Sequence, residues 1–230
     1  MGGHNMKNNN YKQFFDLILK TRRDETIMDS IIVDGPVGVG KTSLMEILIK
    51  EFGYKPFLEP ITNNPLLDKF YYDRKKYAFP LQIFFLNKRF AMLKEAAEVK
   101  GSIMDRSIYG DVIFARLLNQ GGDMDEEEYD LYEELLGNML EHVQAPKLMI
   151  YLQTSVEDMI EKIKKRGRDY EQVVEREYWE KLNSEYEEYF QSYNISPMLV
   201  INVEGLDFVG NQEHRKSVIK LISDKLESLK

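Results

Sequence analysis

From residue 28 onward, short apolar runs alternate with longer stretches of helical periodicity. "MDSIIVDG", starting at Met28, closes on Asp-Gly, the pattern of a buried parallel strand feeding a loop. Lys41 to Phe52 follows as a helix with Leu44, Ile47 and Leu48 on one face. "YKPFLEP" is a short strand candidate, and Phe79 to Val99 predicts a long helix. "GSIMDRS" predicts a strand ending in an acid and a base. Asp125 to His142 predicts an acidic helix, "KLMIYLQT" a strand, and Val156 to Lys165 and Glu175 to Tyr193 further helices. "MLVINVEG" predicts the last strand, and Gln212 to Leu229 a closing helix. Five strands alternating with helices imply a parallel sheet covered on both faces. The expected fold is therefore a three-layer α/β domain over residues 29–230.

Residues 1–28 stand apart from that pattern. "MGGHNMKNNN" reads as a polar leader, with Met6 a second candidate start, and "YKQFFDLILKTRR" has the pattern of a short amphipathic helix. The segment is expected to be partly disordered and to carry no chemistry.

Composition narrows the class. Of 230 residues, 43% are hydrophobic and 30% charged, which suits a folded soluble domain. No cysteine is present, so disulfides and thiolate metal sites are ruled out, and a reducing compartment such as the cytoplasm is expected. No apolar run approaches the roughly 18 residues of a membrane span, and the first residues lack the pattern of a secretory signal. A net charge of −8 argues against a nucleic-acid-coating surface. An acidic chain that binds polyphosphate must gather its cations locally, so basic clusters near glycine-rich stretches become informative.

The first such stretch is "GPVGVGKTSL". Gly35 to Thr42 fits GxxxxGK[ST] between a predicted strand and a predicted helix. Gly35, Gly38, Val39, Gly40, Lys41, Thr42 and Ser43 are the candidate nucleotide-binding positions. Inward-turned backbone N–H groups and the helix N-terminus would hold phosphates. Lys41 would reach the β- and γ-phosphates and Thr42 would ligate Mg²⁺. A switch GTPase would also need Asn-Lys-x-Asp, and Asn87-Lys88 is followed by Arg89-Phe90 in mid-helix. The Asp207–Gly210 match to DxxG follows the last strand, the wrong place for a γ-phosphate sensor. A phosphotransferase would instead need a base for the acceptor and further cations for the moving phosphoryl group. Glu59, at the exit of the second strand candidate, is placed to take a proton from a hydroxyl, though taken alone a merely solvated strand exit is the better reading. Asp105-Arg106 ends another strand on the same rim and offers a Mg²⁺ ligand beside a cation. Lys162, Lys164, Lys165, Arg166 and Arg168 cluster around Gly167 as a candidate lid over about 162–172, with a solvated helix face as the bland alternative. Gln82 and Arg89, seven residues apart, return to one helical face across Phe85 and Leu86. Gln82 offers the paired donor and acceptor that suit a nucleobase edge, although without further context an amphipathic helix with two polar edge residues is the favoured reading.

Taken in order, "GPVGVGKTSL", "EP", "FYYDRKKYAFPLQ", "DRSIYGD", "RGRDYE" and "NVEGLDF" resemble the deoxyribonucleoside kinases of the deoxycytidine/deoxyguanosine/deoxyadenosine type, closest to bacterial deoxyadenosine kinase-like members. The likeness runs from about Asp29 to the C-terminus. Many of those kinases carry Glu-Arg-Ser where this chain has Asp105-Arg106-Ser107, a change that keeps the carboxylate. The resemblance implies a P-loop kinase fold and 5′-phosphorylation of a deoxynucleoside by ATP with Mg²⁺. It implies Glu59 as general base, with Arg106 near the 5′-hydroxyl and the transferring phosphate. Asp105 joins Thr42 at the metal, and Tyr71 and Glu171 hold the 3′-hydroxyl. Gln82 and Asp111 read the base, with Arg89 paired to Asp111. Lys41, Arg166 and Arg168 act on the donor phosphates, while Lys162 matches a basic family position. Asp207 and Phe208 match the loop that holds the donor base, and Phe114 matches a pocket wall. The Arg89/Asp111 pair favours deoxyadenosine, deoxyguanosine or deoxycytidine over thymidine. A homodimer through the helices starting at Phe79 and Asp125 is also implied, as is feedback by a deoxynucleoside triphosphate. A thymidylate kinase-like monophosphate kinase and a non-enzymatic, nucleotide-gated module remain the alternatives.

Overall fold

The strand expected at Met28 runs from Ile27 to Asp34 (β1) and lies at the centre of the sheet. The computed structural model describes residues 11–21, 26–58, 64–172 and 174–230. The other strands are β2 (Lys55–Phe57), β3 (Ser102–Asp105), β4 (Ala145–Gln153) and β5 (Met198–Asn202). They lie in the order β2-β3-β1-β4-β5, and every pairing is parallel. Val33 registers with Asp105 on one side and Ile150 on the other, so three strand ends form one rim. Pro56 is tolerated because β2 is an edge strand, where a missing N–H costs no ladder bond.

Successive strand residues feed opposite faces. Ile31, Val33, Ile103, Leu148 and Ile150 pack under α2 (Lys41–Phe52) and α10 (Gln212–Glu227). Ile32, Met104, Met149 and Tyr151 pack on the other face. That face is covered by α4 (Arg74–Ala97), α5 (Asp111–Gln120), α6 (Glu126–Leu140) and α9 (Arg176–Ser192). Two short helices, α3 (Leu67–Tyr72) and α8 (Asp169–Gln172), and α7 (Val156–Arg166) complete the chain. The result is the expected three-layer P-loop kinase architecture. Among the described residues no helix is long and apolar enough to cross a membrane.

The long helix and the segment after β3 differ from the sequence expectation. The long helix begins at Arg74 rather than Phe79, because the Asp73 carboxylate accepts the Lys76 N–H at 3.2 Å and caps it there. Pro80 then sits inside α4. The segment 111–120, given no element by pattern, is α5. It is a ten-residue, largely apolar run, too short for periodicity alone to separate it from a strand, and Asp111, Val112, Ile113, Ala115, Leu117 and Leu118 are all buried. Upstream of β1, the short amphipathic helix expected from "YKQFFDLILKTRR" is present as α1 (Tyr11–Thr21), and it joins the fold instead of standing apart. Its Tyr11, Phe14, Phe15 and Ile18 belong to the main core, with the Phe15 ring against Tyr189 and Tyr193 of the α9 end. Tyr11 also donates to the Glu185 carboxylate at 2.5 Å. Residues 1–10 of the expected leader lie outside the described residues.

Candidate active site

Immediately after Asp34 the chain leaves β1 and wraps a loop around the N-terminus of α2. Gly35 has φ 149°, and a Cβ there would stand 2.6 Å from the Leu152 carbonyl oxygen, so backbone conformation and space both require glycine. At Gly40 (φ 106°) a Cβ would press to 3.1 Å from the Phe208 ring. Gly40 is the N-cap of α2 and no side chain caps that first turn. Its N–H groups therefore face outward with the positive end of the helix dipole, the arrangement that binds phosphate. Val39 is fully buried and anchors the loop, while Gly38, Gly40, Lys41, Thr42 and Ser43 line the cleft above it. The Lys41 ammonium donates to the Gly35 and Pro36 carbonyls, each at 2.9 Å, which holds it across the loop.

The strand rim brings Asp105 and Arg106 to the same place. Thr42 donates its hydroxyl to Asp105 Oδ2 at 3.2 Å, and Asp105 Oδ1 is buried with no hydrogen-bond partner. One carboxylate with an open oxygen beside a hydroxyl is a hard-oxygen donor set, which suits Mg²⁺ completed by water and phosphate oxygens. Arg106 lies beside the loop, with Nη2 3.4 Å from the Gly35 carbonyl and its guanidinium 4.8 Å from the Phe114 ring centre. Beneath both lies Asp34, wholly buried; burial pushes its carboxyl upward, against the pull of Arg106 and Lys41. Glu59 lies outside the described residues, two positions beyond Phe57 at the end of β2 and one beyond Leu58, which lines the cleft.

Rim and loop open into one cleft of about 840 Å³. Gln82, Arg89, Phe85 and Phe114 line it, whereas Leu86 turns into the core. Arg89 is 3% exposed and pairs with Asp111, 1% exposed, so Asp111 sits behind the arginine rather than on the cleft surface. The Arg89 guanidinium also lies 5.0 Å from the Phe85 ring centre. Tyr71 and Glu171 line the cleft, as do Lys162, Arg166 and Arg168 of the basic run. Glu171 is buried and ties the run together: Arg166 bonds it at 2.5 and 3.2 Å, and Arg168 comes within 3.6 Å.

Two expected positions fall elsewhere. Phe208 is buried beneath Gly40 and offers the loop a floor rather than a base a stacking face. Asp207 accepts N–H groups from Gly210 at 2.7 Å and Val209 at 3.2 Å, with the Gly210 bond the main cause that lowers its pKa, and it does not line the cleft. In the other direction, the structure adds wall residues that pattern did not single out. Arg74 pairs with Asp123 at 2.8 Å and packs 5.2 Å from the Phe70 ring centre and 5.4 Å from that of Tyr178. Tyr178 and Trp179 close the same wall from α9, and burial raises the Tyr178 hydroxyl pKa. In sequence they carried only helical periodicity, and nothing local marked them as pocket residues.

A P-loop on the central strand of a parallel sheet, a second acid and base on the next strand end, and a deep cleft under a basic segment define a phosphotransferase of the P-loop class. The sequence profile of the deoxynucleoside kinase family matches residues 31–227. The chain is 40% identical over 211 residues to a deoxyguanosine kinase of Lactobacillus acidophilus, covering 88% of this chain and 92% of that one. It is 38% identical over 208 residues to a deoxyadenosine kinase of the same organism, covering 86% and 97%. The solved structure of the M. mycoides deoxyadenosine kinase with bound dATP superposes with a TM-score of 0.76 at 35% identity, covering 86% of this chain and 99% of that one. The chain belongs to the deoxynucleoside kinase family and is an ATP-dependent kinase that converts a deoxyribonucleoside to its 5′-monophosphate. The monophosphate-kinase and non-enzymatic alternatives are thereby set aside.

Proposed function

We propose that the acceptor is a purine deoxynucleoside or deoxycytidine in preference to thymidine. The observation that supports this is the buried Arg89–Asp111 pair, with Arg89 and Gln82 both lining the cleft. A site whose buried groups need hydrogen bonds discriminates strongly against a ligand that leaves them unpaired. The identity with deoxyadenosine and deoxyguanosine kinases supports the same choice.

In this reading Gln82 and the Arg89–Asp111 pair hold the base, and Tyr71 and Glu171 hold the 3′-hydroxyl. The 5′-hydroxyl is directed to the strand rim, where Glu59 takes its proton as Arg106 stabilises the transferring phosphoryl group. The loop N–H groups, Lys41, Arg166 and Arg168 hold the donor phosphates, with the segment of about 162–172 as lid. Thr42 and Asp105 hold Mg²⁺, which when bound neutralises charge on the donor phosphates. Asp207 forms part of the loop near the donor base. The residues act mainly by positioning and charge neutralisation, in line with the loose transition state of phosphoryl transfer. We place the enzyme in the cytoplasm as a homodimer packed through α4 and α6.

The test is the initial rate with each of the four deoxynucleosides at saturating MgATP. Deoxyadenosine, deoxyguanosine or deoxycytidine is expected to give the highest kcat/KM; thymidine in first place would refute the proposal.

A further inference from the structure

Asp34 is a buried ionisable group at the heart of the site with no part in the chemistry described so far. It ends β1 and is 0% exposed. Its Oδ1 accepts the Gly35 N–H at 2.7 Å and the Tyr186 hydroxyl at 3.4 Å, and faces Arg106 Nε at 3.7 Å. Its Oδ2 has no hydrogen-bond partner. The 3₁₀ turn Ile108–Gly110 closes over that oxygen so tightly that a Cβ at Gly110 would lie 2.6 Å from it.

Arg106 shows how much the fold commits to this arrangement. Among the described residues it is the non-glycine residue with positive φ, at 60°, and its N–H is fixed to the Val33 carbonyl at 3.0 Å. A left-handed residue outside glycine persists only where its surroundings over-determine it, and such residues gather at functional sites. The bend turns the Arg106 side chain back over the end of β1, between Phe114 and the Gly35 carbonyl. The adjacent Asp105 carboxylate is directed to Thr42, while the Asp34 carboxylate lies beside the guanidinium.

We infer that Asp34 is a positioning residue for phosphoryl transfer, fixing the Arg106 guanidinium from below at the angle the reaction uses. A cation so close to the reacting atoms is useful only within a narrow range of position, and a displacement of about 1 Å can cost on the order of 10²-fold in rate. Asp34 also joins this arginine to the phosphate loop, because the same oxygen that faces Arg106 caps Gly35. Asparagine at 34 would keep the size and, through its Oδ1, the Gly35 cap, while removing the charge and placing an NH2 group at the Oδ2 position.

The inference rests on the reading of Arg106 as acting on the transferring phosphoryl group, so the experiment is a double-mutant cycle in kcat over Asp34→Asn and Arg106→Met. Folding of each variant is checked by circular dichroism. Asp34→Asn is expected to lower kcat by roughly 10- to 100-fold with the deoxynucleoside KM unchanged. In the Arg106→Met background the same substitution is expected to cost nothing further, because its effect runs through the arginine. A wild-type kcat in Asp34→Asn, or a loss that persists in full without Arg106, overturns the inference while Arg106→Met remains impaired. A wild-type kcat in Arg106→Met overturns the reading of Arg106 and the inference with it. Should Asp34→Asn not fold, Gly110→Ala takes its place in the cycle, since it pushes on the carboxylate and its φ of −87° is open to any residue. The same non-additivity with Arg106 is expected, and an additive loss overturns the inference.

Discussion

Arg89 and Asp111 lie so deep that neither charge is tolerable alone. Removing one partner of a buried pair typically costs about 3–5 kcal/mol, because the other charge is left without compensation. Arg89→Met is therefore expected to destabilise the enzyme by about that amount in urea unfolding, and adding Asp111→Asn is expected to recover a large part of it. A single variant as stable as wild type would show that the pair is not held as a buried ion pair. The two residues were legible from sequence only in part. The seven-residue spacing of Gln82 and Arg89 placed both on one face of a helix, as found, but Asp111 was tied to Arg89 by resemblance and not by spacing. The phosphate loop was the most legible feature because its chemistry is local, with glycines, lysine and threonine in one short segment. Asp34 was adjacent to that segment and still went unnoticed. Its partners come from Arg106, Gly110 and Tyr186, and no local pattern encodes a meeting of distant segments.

At the scale of elements, sequence periodicity gave faces but not partners. "YKQFFDLILKTRR" has an apolar stripe, yet nothing within it says that the stripe belongs against α9 more than 170 residues away, where Tyr11 meets Glu185. Arg116 of α5 completes this contact, 4.5 Å from the Tyr11 ring centre and 3.5 Å from the Glu185 carboxylate. So α1 braces the two helices that carry Phe114, Tyr178 and Trp179 to the cleft. Phe15 is fully buried and Leu19 on the same helix is exposed. Phe15→Ala is expected to cost about 3–5 kcal/mol of stability, and Leu19→Ala to stay within about 0.5 kcal/mol. Equal and small effects in thermal unfolding would mean that α1 is not part of the cooperative core. The opposite kind of failure explains α5. At ten residues it is a short, largely apolar run, which periodicity alone does not separate from a strand.

For the whole molecule, the alternation of strands and helices was enough to imply a parallel sheet, but not the order β2-β3-β1-β4-β5, which depends on which edges meet in space. That order places β1 between β3 and β4, so the phosphate loop rises beside Asp105 and Arg106 at the carboxyl ends of the strands, where ligands bind in open α/β sheets. It also concentrates charge against the grain of the protein. The chain carries a net −8, yet eight lysines and arginines line the cleft, from Lys41 and Arg74 to Arg168, against the two described acids Asp105 and Glu171. Low-dielectric walls focus such a field, which favours an incoming polyanion over a neutral molecule. ATP is a polyanion and a deoxynucleoside is uncharged at neutral pH, so salt separates them. Raising ionic strength from about 0.1 M to 1 M shortens the screening length from roughly 10 Å to 3 Å. Over that range the KM for ATP is expected to rise several-fold while the KM for the deoxynucleoside stays nearly constant. Parallel rises in both constants would mean that salt perturbs the fold or lid rather than the field, and a flat KM for ATP would mean that the cleft cations are already neutralised by their protein partners, Glu171 and Asp111 foremost.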